Sequence, residues 1–141
     1  MVIGRKIIEE ISMDTKYEIR NDCLFLKMTG DFDINRSIEI MYETNEKLRT
    51  HNLNKFFLDI TEETGLDDRK KTAKKVYNLS SLISQAFPIG TKISLIETKE
   101  QMGGYSFFED VLTRMGFSVK VTTKPEEGMK WLGVLSEEQS V

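Results

Sequence analysis

The chain has 141 residues, enough for one domain to bury a core without metals or disulfides. An apolar fraction of 39%, a charged fraction of 30% and two prolines argue against a disordered or fibrous protein, and a net charge of −3 offers no general field for nucleic acid. The single Cys23 excludes an intrachain disulfide and a Cys-rich zinc site, charges interrupt the N-terminal apolar residues, and no run reaches the length of a membrane span; the reading is a cytoplasmic protein.

Residues 2–12 carry Ile3, Ile7, Ile8 and Ile11, a spacing that suits a helical face but is too short and too β-branched to decide. Residues 15–20 and 23–29 alternate as two strands, and Asn21-Asp22 between them tolerates the left-handed backbone of a tight hairpin turn. Gly30 is read as the end of the second strand. Asp31 or Asp33 then caps a helix in which Ile34, Ile38, Met41 and Leu48 recur at helical spacing as far as about His51. After Asn52, a left-handed stop, residues 55–60 form a strand whose Phe56, Phe57, Leu58 and Ile60 point to both faces, so it is predicted to be central and covered on both sides.

A second helix starting near Asp67 turns Ala73, Val76, Leu79, Ile83 and Ala86 inward and closes at Pro88 and Gly90. Residues 92–97 give another strand. A third helix carries Tyr105, Phe108, Leu112 and Met115 in register and stops at Gly116. Phe117, Val119 and Val121 alternate as a last strand, and Pro125 opens a closing helix docked by Met129 and Trp131-Leu132, with 134–141 as a frayed tail. Helix and strand alternating in this way predict an α/β fold: a mixed sheet with a leading antiparallel hairpin, parallel later strands and about four helices.

Leu58-Asp59-Ile60 followed by Thr64-Gly65-Leu66-Asp67 resembles the STAS (SpoIIAA-like, anti-sigma factor antagonist) domains. In that family a strand ending in Leu-Asp-Leu leads through a polar loop to an Asp-Ser-Ser-Gly segment that opens a helix, and the two aspartates here keep the family spacing. The closing segment, Phe107-Phe108-Glu109-Asp110 through Phe117-Ser118-Val119-Lys120-Val121, then Pro125-Glu126-Glu127 and Trp131-Leu132, is similar to the end of the SpoIIAA-like branch, which is related in fold to the CRAL-TRIO lipid carriers. The resemblance spans about residues 14–133 and implies a single domain over 1–133. It also implies a non-catalytic regulatory module that binds a protein partner through Asp59, Thr61, Thr64, Asp67, Asp68, Arg69 and Lys70. The family's phosphorylatable serine falls on Asp68, its second serine on Arg69 and its glycine on Lys70. A fixed carboxylate carries about −1, against roughly −1.5 to −2 for a phosphoserine, so the implied docking lacks the family's serine switch.

Taken by themselves, Asp67 and Asp68 read as acids that complement a helix dipole, and Arg69, Lys70, Lys71, Lys74 and Lys75 read as a solvated helix face. Cys23 reads as a small buried hydrophobe, and His51 has no partners that would make it catalytic. Gly103-Gly104 lacks the fingerprint of a dinucleotide or phosphate loop, so no cofactor is expected. The alternative function is a carrier or sensor of a small lipophilic molecule held by Met102, Tyr105, Phe108 and Met115, residues that at helical spacing are more often core. Leu82, outside the apolar arc of its helix, suggests a homodimer contact.

Overall fold

The structure, a computed structural model, describes residues 13–65, 69–101 and 105–134; the side chains of 69–73 and 106–107 are outside that description. Asn21 and Asp22 take left-handed backbone, with φ of 53° and 59°, and fold β1 (Asp14–Arg20) back on β2 (Cys23–Asp31) with Arg20 opposite Cys23. This two-residue turn has the twist that antiparallel strands need. Gly30 does not end the second strand: with φ 95° it lies inside β2, which continues to Asp31 because its last residues pair with the next strand.

Of the two candidate caps, Asp33 is the one used, its carboxylate accepting from the Arg36 N–H at 3.0 Å at the head of α1 (Ile34–Thr50). The chain then alternates through β3 (Lys55–Thr64), α2 (Arg69–Ala86), β4 (Lys92–Ile96), a 3-10 turn at Lys99–Gln101, α3 (Ser106–Arg114), β5 (Ser118–Thr122) and α4 (Pro125–Leu132). The sheet order is β1-β2-β3-β4-β5, antiparallel between β1 and β2 and parallel thereafter. Right-handed crossovers along an order that never reverses put α1, α2 and α3 on one face. Such a sheet has no reversal point, and hence none of the crevice that doubly wound sheets use for ligands.

β3 is central, as its two-sided apolar composition predicts. Phe56, Leu58 and Ile60 join the main core under α1–α3, with Val76, Leu79, Ile83, Phe108 and Leu112, while Phe57 faces a second, smaller core with Cys23, Phe25, Ile96 and Leu132. Val134 is fully buried in that second core, so the ordered packing extends one residue past the expected boundary at 133. Leu82, half-buried, packs against the main core, because the inward arc of α2 is wider than the spacing of its most apolar residues indicates. Met13 is also buried, whereas the Ile3–Ile11 pattern, the helix start at Asp67 and the tail 135–141 lie outside the described residues.

The second core depends on a close approach. A Cβ on Gly128, in α4, would stand 2.5 Å from Ser94 Oγ, 2.7 Å from Ile96 Cδ1 and 3.3 Å from Phe57 Cε2. Gly128→Ala is therefore expected to destabilise by roughly 1–3 kcal/mol through overpacking, outweighing the helix-propensity gain of about 1 kcal/mol. The only tryptophan, Trp131, rides on this helix, so the change should appear as a lower urea midpoint and an altered native fluorescence.

Candidate functional site

The site begins with an irregularity at the exit of β3. Lys27 pairs with Asp59 and Thr29 with Glu62, so two steps along β2 correspond to three along β3. One extra residue inverts the in-and-out alternation of a strand from that point on. Glu62 therefore joins Lys27 in an ion pair on the outer face, and Glu63 turns into the core. Asp59 stabilises the irregularity locally, accepting from the Thr61 N–H at 2.9 Å and the Thr61 hydroxyl at 2.6 Å. The strand thus runs four residues beyond the expected 55–60, carrying a carboxylate inward where a polar loop was predicted.

Glu63 is 4% exposed. Its Oε1 accepts a 2.9 Å hydrogen bond from the Tyr105 hydroxyl at the head of α3, and its Oε2 is sealed from solvent without a partner among the described residues. Among the described residues no cation pairs with it, and burial pushes the carboxyl up to about 8, against the smaller opposing effect of the tyrosine hydrogen bond. Near neutral pH the group is a carboxylic acid. Tyr105 is pushed well above its ordinary range, first by burial and then by Glu63, and Glu97 at the end of β4 is pushed up by burial as well.

Beside this pair is an open cleft of about 450 Å³ lined by Thr61, Glu63, Thr64, Gly65, Thr98, Glu100 and Gln101. The Gln101 side-chain amide closes one wall, donating to the carbonyls of Ile60 at 2.7 Å and Glu63 at 2.9 Å. The Thr64 hydroxyl donates to Asp31, and the Phe32 N–H donates to the Thr64 carbonyl at 2.8 Å, which ties the ends of β2 and β3 together. A neutral acid is the sort of group that acid–base catalysis uses, but a molecule in the cleft does not reach the sealed Oε2. Among the described residues no three His, Cys, Asp or Glu side chains are placed to hold a metal ion, and no helix is long and apolar enough to cross a membrane.

The predicted docking residues are divided by this geometry. Thr61 and Thr64 share the cleft, whereas Asp59 opens on a separate groove of about 260 Å³ with Lys16, Glu18, Arg20, Phe25, Lys27 and Phe57. Asp67 and Asp68 lie outside the described residues, and Arg69 and Lys70 are described only as the first turn of α2. Of the predicted apolar pocket, Tyr105 and Phe108 are core residues with ring centroids 5.9 Å apart, Met115 is 57% exposed at the far end of α3, and Met102 lies outside the described residues. Tyr105, Phe108 and Met115 therefore do not line one cavity. Cys23 is buried beneath the second core, its thiol pushed up to about 12 by burial, as suits a structural cysteine.

Glu63 and Gln101 are the residues that sequence reasoning missed. Period-two reading of residues 55–64 places Glu62 on the inner face and Glu63 outside, and only the Asp59–Thr61 spacing hints at the local turn that reverses them.

The sequence matches no protein-family model and no curated protein. A solved structure of the protein TM1081 aligns over 83% of this chain and 86% of that chain at 17% identity, with a TM-score of 0.49. The crystal structure of an anti-sigma factor antagonist from Mycobacterium paratuberculosis aligns over 86% of this chain and 95% of that chain at 8% identity, with a TM-score of 0.58. By this second likeness and by its five-stranded mixed sheet, the chain has a STAS-like α/β fold.

Proposed function

We propose that the chain is a non-catalytic, cytoplasmic regulatory module that docks an anti-sigma-factor-like protein through the segment leaving β3 and the first turn of α2. The supporting observation is the β3 exit itself. In a fold shared with an anti-sigma factor antagonist, the irregular end of the central strand presents Thr61, Thr64 and Gly65 at an open cleft directly before residues 66–70. A segment at the carboxyl end of a buried strand is held by the scaffold and free to vary at its tip. By the resemblance, Asp68 falls at the position of the family's serine, a carboxyl residue in place of a phosphorylatable hydroxyl.

The test is a calorimetric titration with the anti-sigma factor kinase of the source organism. Asp68→Arg and Thr64→Arg are expected to weaken binding at least about tenfold, or 1.4 kcal/mol, with the circular dichroism of the free protein unchanged. Incubation with the same partner and ATP should leave the mass of the chain unaltered. Equal affinity of wild type and both variants would remove the docking surface from consideration, and a gain of one phosphate would remove the switchless reading.

A further inference from the structure

Besides its ladder with β2 and the Glu62–Lys27 ion pair, four contacts hold the last residues of β3. Gln101 grips the carbonyls of Ile60 and Glu63, the Phe32 N–H binds the Thr64 carbonyl, the Thr64 hydroxyl binds Asp31, and Tyr105 binds the Glu63 carboxyl. The first two are amide contacts to backbone, and the third is exposed. Only the fourth joins the strand exit to the core through a buried acid. It is also the only one that ties the exit of β3 to the head of α3.

The surroundings of that acid favour its neutral form. Among the described residues its one partner is a neutral hydroxyl, and its second oxygen has none. Glu97 at the end of β4 lies close enough to bear on Tyr105, Asp31 at the end of β2 is acidic, and Glu62 is already paired with Lys27. Lys99 and Glu100 of the 3-10 turn, Lys74 and Lys75 of α2, and Glu109 and Asp110 of α3 are all exposed. A carboxylate formed here would be a buried charge with no cation paired to it among the described residues, a state that a protein relieves by moving the group to water. The cleft of about 450 Å³ that Glu63 already lines is the available exit.

We propose that Glu63 and Tyr105 form a proton-operated latch: the protonated acid clamps the exit of β3 to the head of α3, and loss of the proton swings Glu63 into the cleft and loosens both segments. No covalent step is involved; the proton passes to solvent, and the Tyr105 hydroxyl is left to rebond with water. As regulation of the docking segment the latch rests on the function proposed above, but it is a property of the free protein and is tested without any partner, so the two readings fail separately.

The experiment follows the carbon-13 carboxyl resonances of glutamate-labelled wild-type protein from pH 5 to 9.5, alongside amide hydrogen exchange corrected for its intrinsic pH dependence. Glu63 is expected to titrate near 8, and the amides of residues 60–65 and 105–109 to lose about tenfold in protection by one unit above that midpoint. Glu63→Gln, which keeps the acceptor for Tyr105 and removes the proton, should hold the low-pH level of protection throughout. A Glu63 midpoint below 6, titration without change in the two segments, or the same pH dependence in Glu63→Gln would each overturn the latch. The wild-type measurements decide the question by themselves if the variant fails to fold.

Discussion

Between pH 4.5 and about 8 the protein is expected to lose stability at about 1.4 kcal/mol per pH unit through Glu63, a total approaching about 4–5 kcal/mol. The folded carboxyl is raised to about 8 by burial from an ordinary value of 4.5, so within this window the folded chain keeps a proton that the unfolded chain has lost. Raising the pH therefore favours the unfolded state. The contribution is fully present below 4.5 and gone above 8. Urea midpoints at pH 5, 6.5 and 8 measure it, and Glu63→Gln should flatten most of the slope.

Glu97 acts in the same direction, since burial raises it too, which is why the difference between wild type and variant is the quantity that isolates Glu63. Cys23 is raised above its ordinary 9, so it enters only at higher pH. The same slope from pH 5 to 8 in wild type and Glu63→Gln would show that Glu63 is ionised in the folded state.

Phe56→Ala is expected to cost about 3–5 kcal/mol, a large share of the roughly 5–15 kcal/mol that holds a domain of this size together. Phe56 is completely buried at the middle of the sheet, paired with Leu24 on one side and Ile93 on the other, and its ring stands edge-on to Phe87 at 5.7 Å. The neighbours are held by ladders on both sides, so the strand has little room to collapse into the void. Ile89→Ala, at a side chain 97% exposed, is the matched control and should change stability by less than about 0.5 kcal/mol. Urea denaturation of the two variants beside wild type checks both. A loss below about 1 kcal/mol at Phe56 would mean that the β3 core is not packed as described.

Much of the architecture is legible from residue order. Asn21-Asp22 specify the hairpin because few other pairs accept two left-handed residues, and Asn52 stops α1 for the same reason. Phe56-Phe57-Leu58 mark a strand buried on both faces, and the three strand–helix alternations after the hairpin predict parallel pairing. Pro125 and Trp131-Leu132 announce the closing helix, although residue order is silent on which face it covers.

The candidate site is less legible, for a reason that concerns β3 itself. Residues 55–60 and their apolar alternation follow from local composition, and so does the placing of an acid, Asp59, where the strand leaves its densest apolar run. Local composition does not reveal that Thr29, Gly30 and Asp31 at the end of β2 pair with Glu62, Glu63 and Thr64, because that pairing is made between residues more than thirty positions apart. Nor does it reveal the extra residue in β3. That single insertion reverses the alternation, sends Glu62 out to Lys27 and Glu63 in to Tyr105, and turns an apparently polar loop into a buried, titratable strand end. Chain order determines the strand, the hairpin and the helical crossovers through short-range sterics and periodicity. Which carboxylate is buried, and hence which group can sense pH, is decided only when the neighbouring strands set the register.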